Sequence, residues 1–154
     1  MSEAGFRDVT AGLDPQALAE RVREGMYERD AAARSLGMRF LAMGPGSATL
    51  AMPVRADMLN GFGICHGGFI TTLADTAFAY ACNSGNEQTV ASGISVDFMA
   101  PGRPGDVLTA AAREVFAAGR TGVYDITVTN QNGELIAVMR GKSYRLKGRA
   151  VVEL

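Results

Sequence analysis

The apolar segment from His66 to Ser84 constrains the fold more than any other part of the chain. It reads HGGFITTLADTAFAYACNS, and Asp75 is the only charged residue between Gly61 and Gly85. A helix that is apolar on nearly every face is a buried helix. The segment therefore predicts a long central helix, enclosed by the rest of the chain, with one carboxylate inside it.

The flanking segments predict a first helix and several strands. An Asp-Pro pair at 14–15 is typical of a helix start, and apolar residues recur every four positions after it, so we expect a helix to about Arg34. Residues 59–65 are expected to form the loop that leads into the central helix. Alternating or apolar runs bounded by turn residues predict strands at about 38–43, 47–54, 94–99, 106–117, 124–128 and 135–147.

The later strands follow one another through short turns, which predicts an antiparallel meander. The fold class is therefore α+β and not a doubly wound parallel sheet, and we expect the sheet to wrap around the central helix. Such a wrap leaves an edge strand and one outer face, which favours self-association. We expect a flexible N-terminal tail over residues 1–12, a single domain over 13–148 and a C-terminal tail over 149–154.

Composition excludes several classes of function. The chain has 154 residues and a net charge of −1, which fits one domain and argues against broad nucleic-acid binding. One histidine and two cysteines, Cys65 and Cys82, give no metal-binding or disulfide spacing. No signal peptide and no uninterrupted apolar stretch of about 18 residues is evident, so we expect a cytoplasmic protein without membrane contact.

The glycine pair at the predicted helix start is a candidate site for an oxyanion. The first N–H groups of a helix have no partner within the helix, and the positive end of its dipole lies there. Glycine at Gly67 and Gly68 would let a ligand approach this backbone closely, so a developing negative oxygen could be stabilised. The alternative is that the two glycines serve only a tight turn between loop and helix.

Asp75 is the candidate general base. A buried carboxylate is unfavourable unless it is paired, and the local partners are the backbone and three hydroxyls, those of Thr71, Thr72 and Thr76. Apolar surroundings should raise the pKa of this carboxyl and make it a better base. The alternative is a structural hydrogen bond from Asp75 to a neighbouring subunit.

The two candidate groups are too far apart to act together within one subunit. Asp75 follows Gly67 by eight residues, which corresponds to about 12 Å along a helix axis. If they cooperate, they should come from different subunits across a symmetric interface.

Other polar residues are open to two interpretations each. His66 is a helix cap or loop anchor, or else it orients a substrate. Asn60 holds a carbonyl or a water, or else it caps a turn. Cys65 adjoins His66, but neighbouring side chains in an extended segment point apart, which disfavours a Cys–His dyad.

Arg120 and a basic run near the C-terminus are also open to two interpretations. They form a solvated strand end or meet the phosphates of a nucleotide-bearing substrate. The run comprises Arg140, Lys142, Arg145, Lys147 and Arg149.

These residues carry a resemblance to a known family. The pattern Asn60…His66-Gly67-Gly68…Leu73-Ala74-Asp75 resembles the signature of hot-dog fold acyl-CoA thioesterases. The phenylacetate-degradation (PaaI-type) branch is similar over about residues 20–147, through CHGGFITTLADTAFAYACNSGN, SVDFMAPGRPGD and GRTGVYDITVTNQNGELIAVMRGKSYR.

The resemblance implies an antiparallel sheet of five to six strands wrapped around a long central helix. It also implies an acyl-CoA substrate, no cofactor, and a homodimer with two interface sites, commonly paired into a homotetramer. The Gly67 N–H would polarise the thioester carbonyl, and Asp75 would activate water or attack to give an anhydride. Asn60 and His66 would support the carbonyl or the loop.

Two positions depart from the family pattern. Some relatives have Asn where this chain has Arg29, and some have Thr or Ser where it has Ala79. Both departures concern the residues that hold the water.

The branch resemblance implies hydrolysis of an aryl-acetyl-CoA, either phenylacetyl-CoA or a ring-hydroxylated form, in aromatic catabolism. Gly68, Arg120 and Lys142 join Asn60 and His66 as candidate substrate-binding residues. One alternative is a non-catalytic acyl-CoA binding or sensing module. Another is a hot-dog enoyl-CoA hydratase, which would need a histidine together with the acid.

Overall fold

The computed structural model describes residues 10–154, so most of the N-terminal tail expected at 1–12 lies outside the described residues. The helices are α1 (Pro15–Arg29), α2 (Ala31–Ser35) and α3 (Gly67–Asn83), with a short 3-10 helix at Ala56–Met58. The strands are β1 (Arg39–Gly44), β2 (Ser47–Pro53), β3 (Glu87–Phe98), β4 (Val107–Ala118), β5 (Thr121–Thr129) and β6 (Leu135–Ala150).

The six strands form one antiparallel sheet in the order β1-β2-β4-β5-β6-β3, and α3 packs against its inner face. The predicted α+β architecture with a long central helix is confirmed. Leu73, Ala77 and Phe78 of α3 are almost completely buried in the core between helix and sheet. A Cβ at Gly141 of β6 would lie 2.8 Å from the Phe78 ring, so glycine is required there for the helix to approach the sheet.

The first helix is shorter than predicted. It ends at Arg29 rather than Arg34, because the Asp30 carboxylate accepts the Ala33 N–H at 3.0 Å and caps a separate helix, α2. The second Asp30 oxygen accepts the hydroxyl proton of buried Tyr80 at 3.1 Å. The alanines at 31–33 favour a helix, so only the capping role of Asp30 distinguishes two helices from one.

Strand β3 differs from the prediction in length and in neighbour. It begins at Glu87 rather than 94, and the Asn83 side chain bonds the backbone N–H and carbonyl of Thr89 at 2.8 and 2.9 Å, which ties the end of α3 to this strand. The meander prediction holds for β4-β5-β6 but is wrong for β3, which pairs with β6 at the edge of the sheet.

The C-terminal segment is attached to the body of the protein. β6 continues to Ala150, so the expected boundary at 148 falls inside a strand. The backbone N–H groups of Val151 and Val152 donate to the Asn86 side-chain oxygen at 3.1 and 2.9 Å, and Arg29 donates to the Val151 carbonyl at 2.9 Å. Residues 149–152 therefore do not form the free tail that the sequence suggested.

None of the helices within residues 10–154 is long and apolar enough to cross a bilayer.

Candidate active site

The start of α3 is anchored on two sides. The His66 N–H donates to the Met58 carbonyl at 2.8 Å, and the Cys65 N–H donates to the Gly102 carbonyl at 2.7 Å, in the turn that follows β3. These bonds fix the first turn of α3 against the preceding loop and against the end of the edge strand.

One backbone N–H at this helix start is left open. His66 is the N-cap, and its Nδ1 accepts the Gly68 N–H at 3.4 Å. Its carbonyl accepts the N–H groups of Phe69 at 3.0 Å and Ile70 at 3.4 Å. Within residues 10–154, the Gly67 N–H has no acceptor. It is therefore the donor that remains available at the positive end of the helix dipole.

Asn60 organises the loop before the helix. Its side-chain oxygen accepts the N–H groups of Phe62 at 2.9 Å and Ile64 at 3.3 Å, and its own N–H donates to the Ile64 carbonyl at 2.8 Å. The structure thus gives Asn60 the turn-capping role, and its side-chain NH₂ donates to no acceptor in the described part of the chain.

Asp75 lies half-buried on the face of α3 that turns toward β3. It lines a groove of about 310 Å³ together with residues of both elements: Thr71, Thr72, Ala91, Ser92, Gly93 and Ile94. Burial raises the pKa of the Asp75 carboxyl, as the sequence predicted.

The expected threonine partners do not reach this carboxylate. The hydroxyls of Thr71, Thr72 and Thr76 donate to the carbonyls of the residues four positions earlier, at 2.7–2.8 Å. No described residue donates a hydrogen bond to Asp75. The prediction of local threonine partners is wrong, because the preceding turn offers these hydroxyls a nearer acceptor.

The structure does not bring Gly67 and Asp75 together within one chain. Both lie on the uninterrupted helix α3, eight residues apart, and so about 12 Å apart along its axis. Each group instead faces the region beside β3: Asp75 lines the groove at Ala91–Ile94, and Gly67 contacts the ring of Phe98.

The inner face of β3 is only partly covered by α3. Ile94 and Phe98 keep 44% and 51% of their surface exposed, although both lie on the side of the sheet that carries the core. The sequence predicted a strand at about 94–99 and assigned Phe98 no role. The alternation at 94, 96 and 98 was the only signal, and it does not report contact with Gly67.

The basic residues do not gather into one patch. Alternation along β6 sends Lys142 to the outer face, opposite the helix, because its neighbours Gly141 and Ser143 face inward. Arg140 bonds Asp125 at 2.8 Å, and Arg145 lies 3.7 Å from Glu87. Arg120 is exposed in the hairpin between β4 and β5.

The other residues that the sequence singled out, Cys65, Arg29 and Ala79, are buried or take part in hydrogen bonds within the fold. Cys65 is buried, and its burial raises the thiol pKa, which lowers the fraction of reactive thiolate. Arg29 donates to the carbonyls of Gly25 and Val151, and Ala79 accepts the Asn83 side-chain N–H through its carbonyl. No cluster of three potential metal ligands occurs among residues 10–154.

Comparison with known proteins identifies the family to which this chain belongs. Residues 62–137 match the thioesterase superfamily, which defines the class of protein. The chain is 50% identical over 123 residues to the acyl-coenzyme A thioesterase PaaI of Escherichia coli, covering 80% of this chain and 88% of that one. It belongs to the PaaI-type acyl-CoA thioesterases of the hot-dog fold, as the sequence resemblance implied.

Solved structures agree. The structure of E. coli PaaI, from the phenylacetic acid degradation operon, superposes with a TM-score of 0.86 at 46% identity and covers 88% of this chain and 99% of that one. A Streptococcus mutans protein bound to acetyl-CoA superposes with a TM-score of 0.70 at 28% identity, covering 73% and 90%.

Proposed function

We propose that the protein hydrolyses acyl-CoA thioesters and that phenylacetyl-CoA, or a ring-hydroxylated form, is its best substrate in phenylacetate catabolism. The observation that carries this proposal is the pairing of an open helix-start N–H, at Gly67, with a half-buried carboxylate that no described residue binds, at Asp75. The aryl-acetyl preference is supported by the similarity to the E. coli thioesterase of the phenylacetic acid operon.

The reaction follows from the two groups. The Gly67 N–H donates to the thioester carbonyl oxygen and stabilises the negative charge that develops on it. Asp75 takes a proton from water, whose oxygen attacks the carbonyl carbon; the C–S bond then breaks and the sulfur leaves with a proton as free CoA. Alternatively, an Asp75 carboxylate oxygen attacks the carbonyl carbon, the C–S bond breaks and CoA leaves as the thiolate; water then hydrolyses the mixed anhydride, which releases the acid and restores Asp75.

The site is complete only when two subunits combine. The groove beside Asp75 reaches Gly93 and Ile94, whereas Gly67 contacts Phe98 of the same strand. Antiparallel pairing of β3 with the β3 of a second copy, about a two-fold axis at Val96, beside Ser95, would set Ile94 opposite the partner's Phe98, and both side chains lie on the inner face. The Asp75 of one subunit would then face the Gly67 of the other.

The edge position of β3 supports this arrangement. Its outer edge pairs with no strand among the described residues, and an unpaired edge with exposed apolar side chains favours association. A homodimer with two sites is the unit we propose, and two such dimers would form the homotetramer implied by the family resemblance.

Arg120 and Lys142 remain our candidates for the CoA phosphates, with Gly68, Asn60 and His66 shaping the carbonyl site. Neither Arg120 nor Lys142 has an ion pair among residues 10–154, whereas Arg140 and Arg145 do. We propose a cytoplasmic location, because both cysteines are free thiols, which suits a reducing compartment.

The alternative functions explain less of the site. A non-catalytic acyl-CoA module would use the helix start but has no need for the unpartnered Asp75. A hydratase would need a histidine beside the acid, and the single histidine, His66, caps the helix nine residues before Asp75.

The test is the release of free thiol from a panel of acyl-CoAs. We expect turnover with phenylacetyl-CoA and its ring-hydroxylated forms to exceed turnover with straight-chain acyl-CoAs. Absence of thiol release from every member, with binding retained, would support the non-catalytic module, and hydration of an enoyl-CoA without thiol release would support the hydratase.

A further inference from the structure

The reason that residue 67 is glycine lies in a neighbouring side chain. Its φ is not in the left-handed region, so the backbone alone would accept any residue. A Cβ at Gly67, however, would lie 2.9 Å from Cζ of Phe98 and 3.4 Å from both Cε atoms. At Gly68 the nearest atom, His66 Nδ1, would be 3.7 Å away, which is ordinary contact. The ring of Phe98 therefore occupies the space that a side chain at 67 would need.

The same ring lies beside the proposed oxyanion site. A carbonyl oxygen bound to the Gly67 N–H would lie about 2.9 Å from that nitrogen. It would therefore lie close to the Gly67 Cα, where the Phe98 ring occupies the space that a side chain would take. The ring is 51% exposed, so a large part of it is free to contact a bound molecule. In the paired arrangement proposed above, Phe98 also faces the partner's Ile94, which lines the groove of the partner's Asp75.

We propose that Phe98 is a specificity-determining residue, whose ring forms a wall of the acyl pocket and favours thioesters with an aromatic acyl group. This inference rests on the proposed thioesterase function. Aromatic pairs in contact gain attraction beyond their buried area, so an aryl substrate benefits from the ring more than an alkyl substrate does. Glycine at 67 lets the ring lie against the helix start.

The first experiment measures kcat/KM for phenylacetyl-CoA and for butyryl-CoA in the wild type, Phe98→Leu and Phe98→Ala. We expect the aryl-to-alkyl ratio to fall about three- to tenfold in both variants, the usual worth of an aromatic contact. Phe98→Leu keeps an apolar side chain, which guards against loss of folding. An unchanged ratio in an active enzyme would overturn the specificity role, whereas an inactive wild type would reject the thioesterase function itself.

The second experiment uses Gly67→Ala, which keeps the N–H. Because Phe98 is half-exposed, the added methyl group should turn its ring away, so this variant should lose the aryl preference although Phe98 is present. In the double variant Gly67→Ala/Phe98→Ala the ratio should fall no further than in either single variant. Gly85→Ala, where a Cβ meets nothing within 4 Å at the far end of α3, is the control and should keep the wild-type ratio. Independent, multiplying losses at 67 and 98 would show that the two positions do not act through one contact.

Discussion

The basicity of the Asp75 carboxylate depends on the hydrogen bonds that it does not accept from the described residues. A carboxylate that accepts several hydrogen bonds is held in its charged form and is a poor base. Asp75 accepts none from the described residues, lies half-buried in an apolar helix, and has a raised pKa because of that burial. These properties suit the general-base role that we propose for Asp75.

Replacing Asp75 with Asn should therefore separate catalysis from binding. Asp75→Asn keeps the shape and removes the base, so we expect kcat to fall about 10²- to 10⁴-fold, the usual worth of a positioned base. Substrate affinity should remain within a few-fold of the wild type, measured with a non-hydrolysable acyl-CoA analogue. Wild-type turnover in this variant would make Asp75 a structural residue.

The same substitution should stabilise the fold at neutral pH. The folded state binds the Asp75 proton more tightly than the unfolded state, so this group lowers stability as the pH rises from the ordinary aspartate pKa of 3.8 through the raised value. Asp75→Asn removes that penalty. We expect a higher Tm than wild type at pH 7, with a gain that shrinks toward pH 4. A gain that does not depend on pH, or a lower Tm, would contradict an unpartnered carboxylate.

Individual residues were predictable where local chemistry decides. The sequence predicted the raised pKa of Asp75 and the helix start at the glycine pair, and the structure has both, whereas their catalytic roles stay predictions. The threonines were misassigned because their i−4 carbonyls are equally local and closer. Phe98 was missed because contact between the end of a strand and the start of a helix depends on how the two elements pack.

At the scale of elements, our proposal places the active site in the groove between α3 and β3. The helix supplies both groups that we propose to be catalytic, and the edge strand supplies the inner-face side chains that α3 leaves half-exposed. The sequence predicted the helix and the alternation of the strand. It could not give the neighbour of β3, because period-2 patterning reports the face that a residue occupies and not the strand beside it.

A charge placed on the paired section of β3 should separate the subunits. Ile94→Lys puts a charge where we expect the two edge strands to meet, so it should shift the protein to monomers and lower activity in proportion. The check is sedimentation velocity beside thiol release. Val90→Lys is the control: Val90 lies on the outer face, outside the section of β3 that a two-fold axis near Ser95 would pair. A monomeric Ile94→Lys variant with full activity would rule out a shared site.

Removal of Arg120 or Lys142, which form no ion pair among residues 10–154, should affect the binding of acyl-CoA alone. Arg120→Ala and Lys142→Ala should raise KM for acyl-CoA and leave kcat nearly intact, because phosphate contacts are equal in ground and transition states. The effect should weaken at high salt. Arg140→Ala is the comparison, since Asp125 already binds Arg140. If a short thioester without the nucleotide has the same KM as acyl-CoA, these residues do not bind phosphates.

At the scale of the whole molecule, we propose that each chain holds two half-sites. The rise of an α-helix puts the donor and the base about 12 Å apart, whereas both must lie near 3 Å from the reacting atoms. The separation of Gly67 and Asp75 was predictable from their sequence positions and from the assignment of the helix. The edge of β3, which the sequence did not reveal, is the surface on which a second copy can supply the missing half.

Complementation between two inactive variants tests the shared site most directly. Asp75→Asn removes one half and Gly67→Pro removes the other, since proline has no N–H and is accepted in the first turn of a helix. Each variant alone should be inactive. After subunit exchange at equal ratio, verified by mass spectrometry of the intact assembly, half of the two-fold dimers are mixed and each has one intact site, so activity should recover to about a quarter of wild type. Mixed dimers that form without any recovery of thiol release would contradict a site shared between subunits.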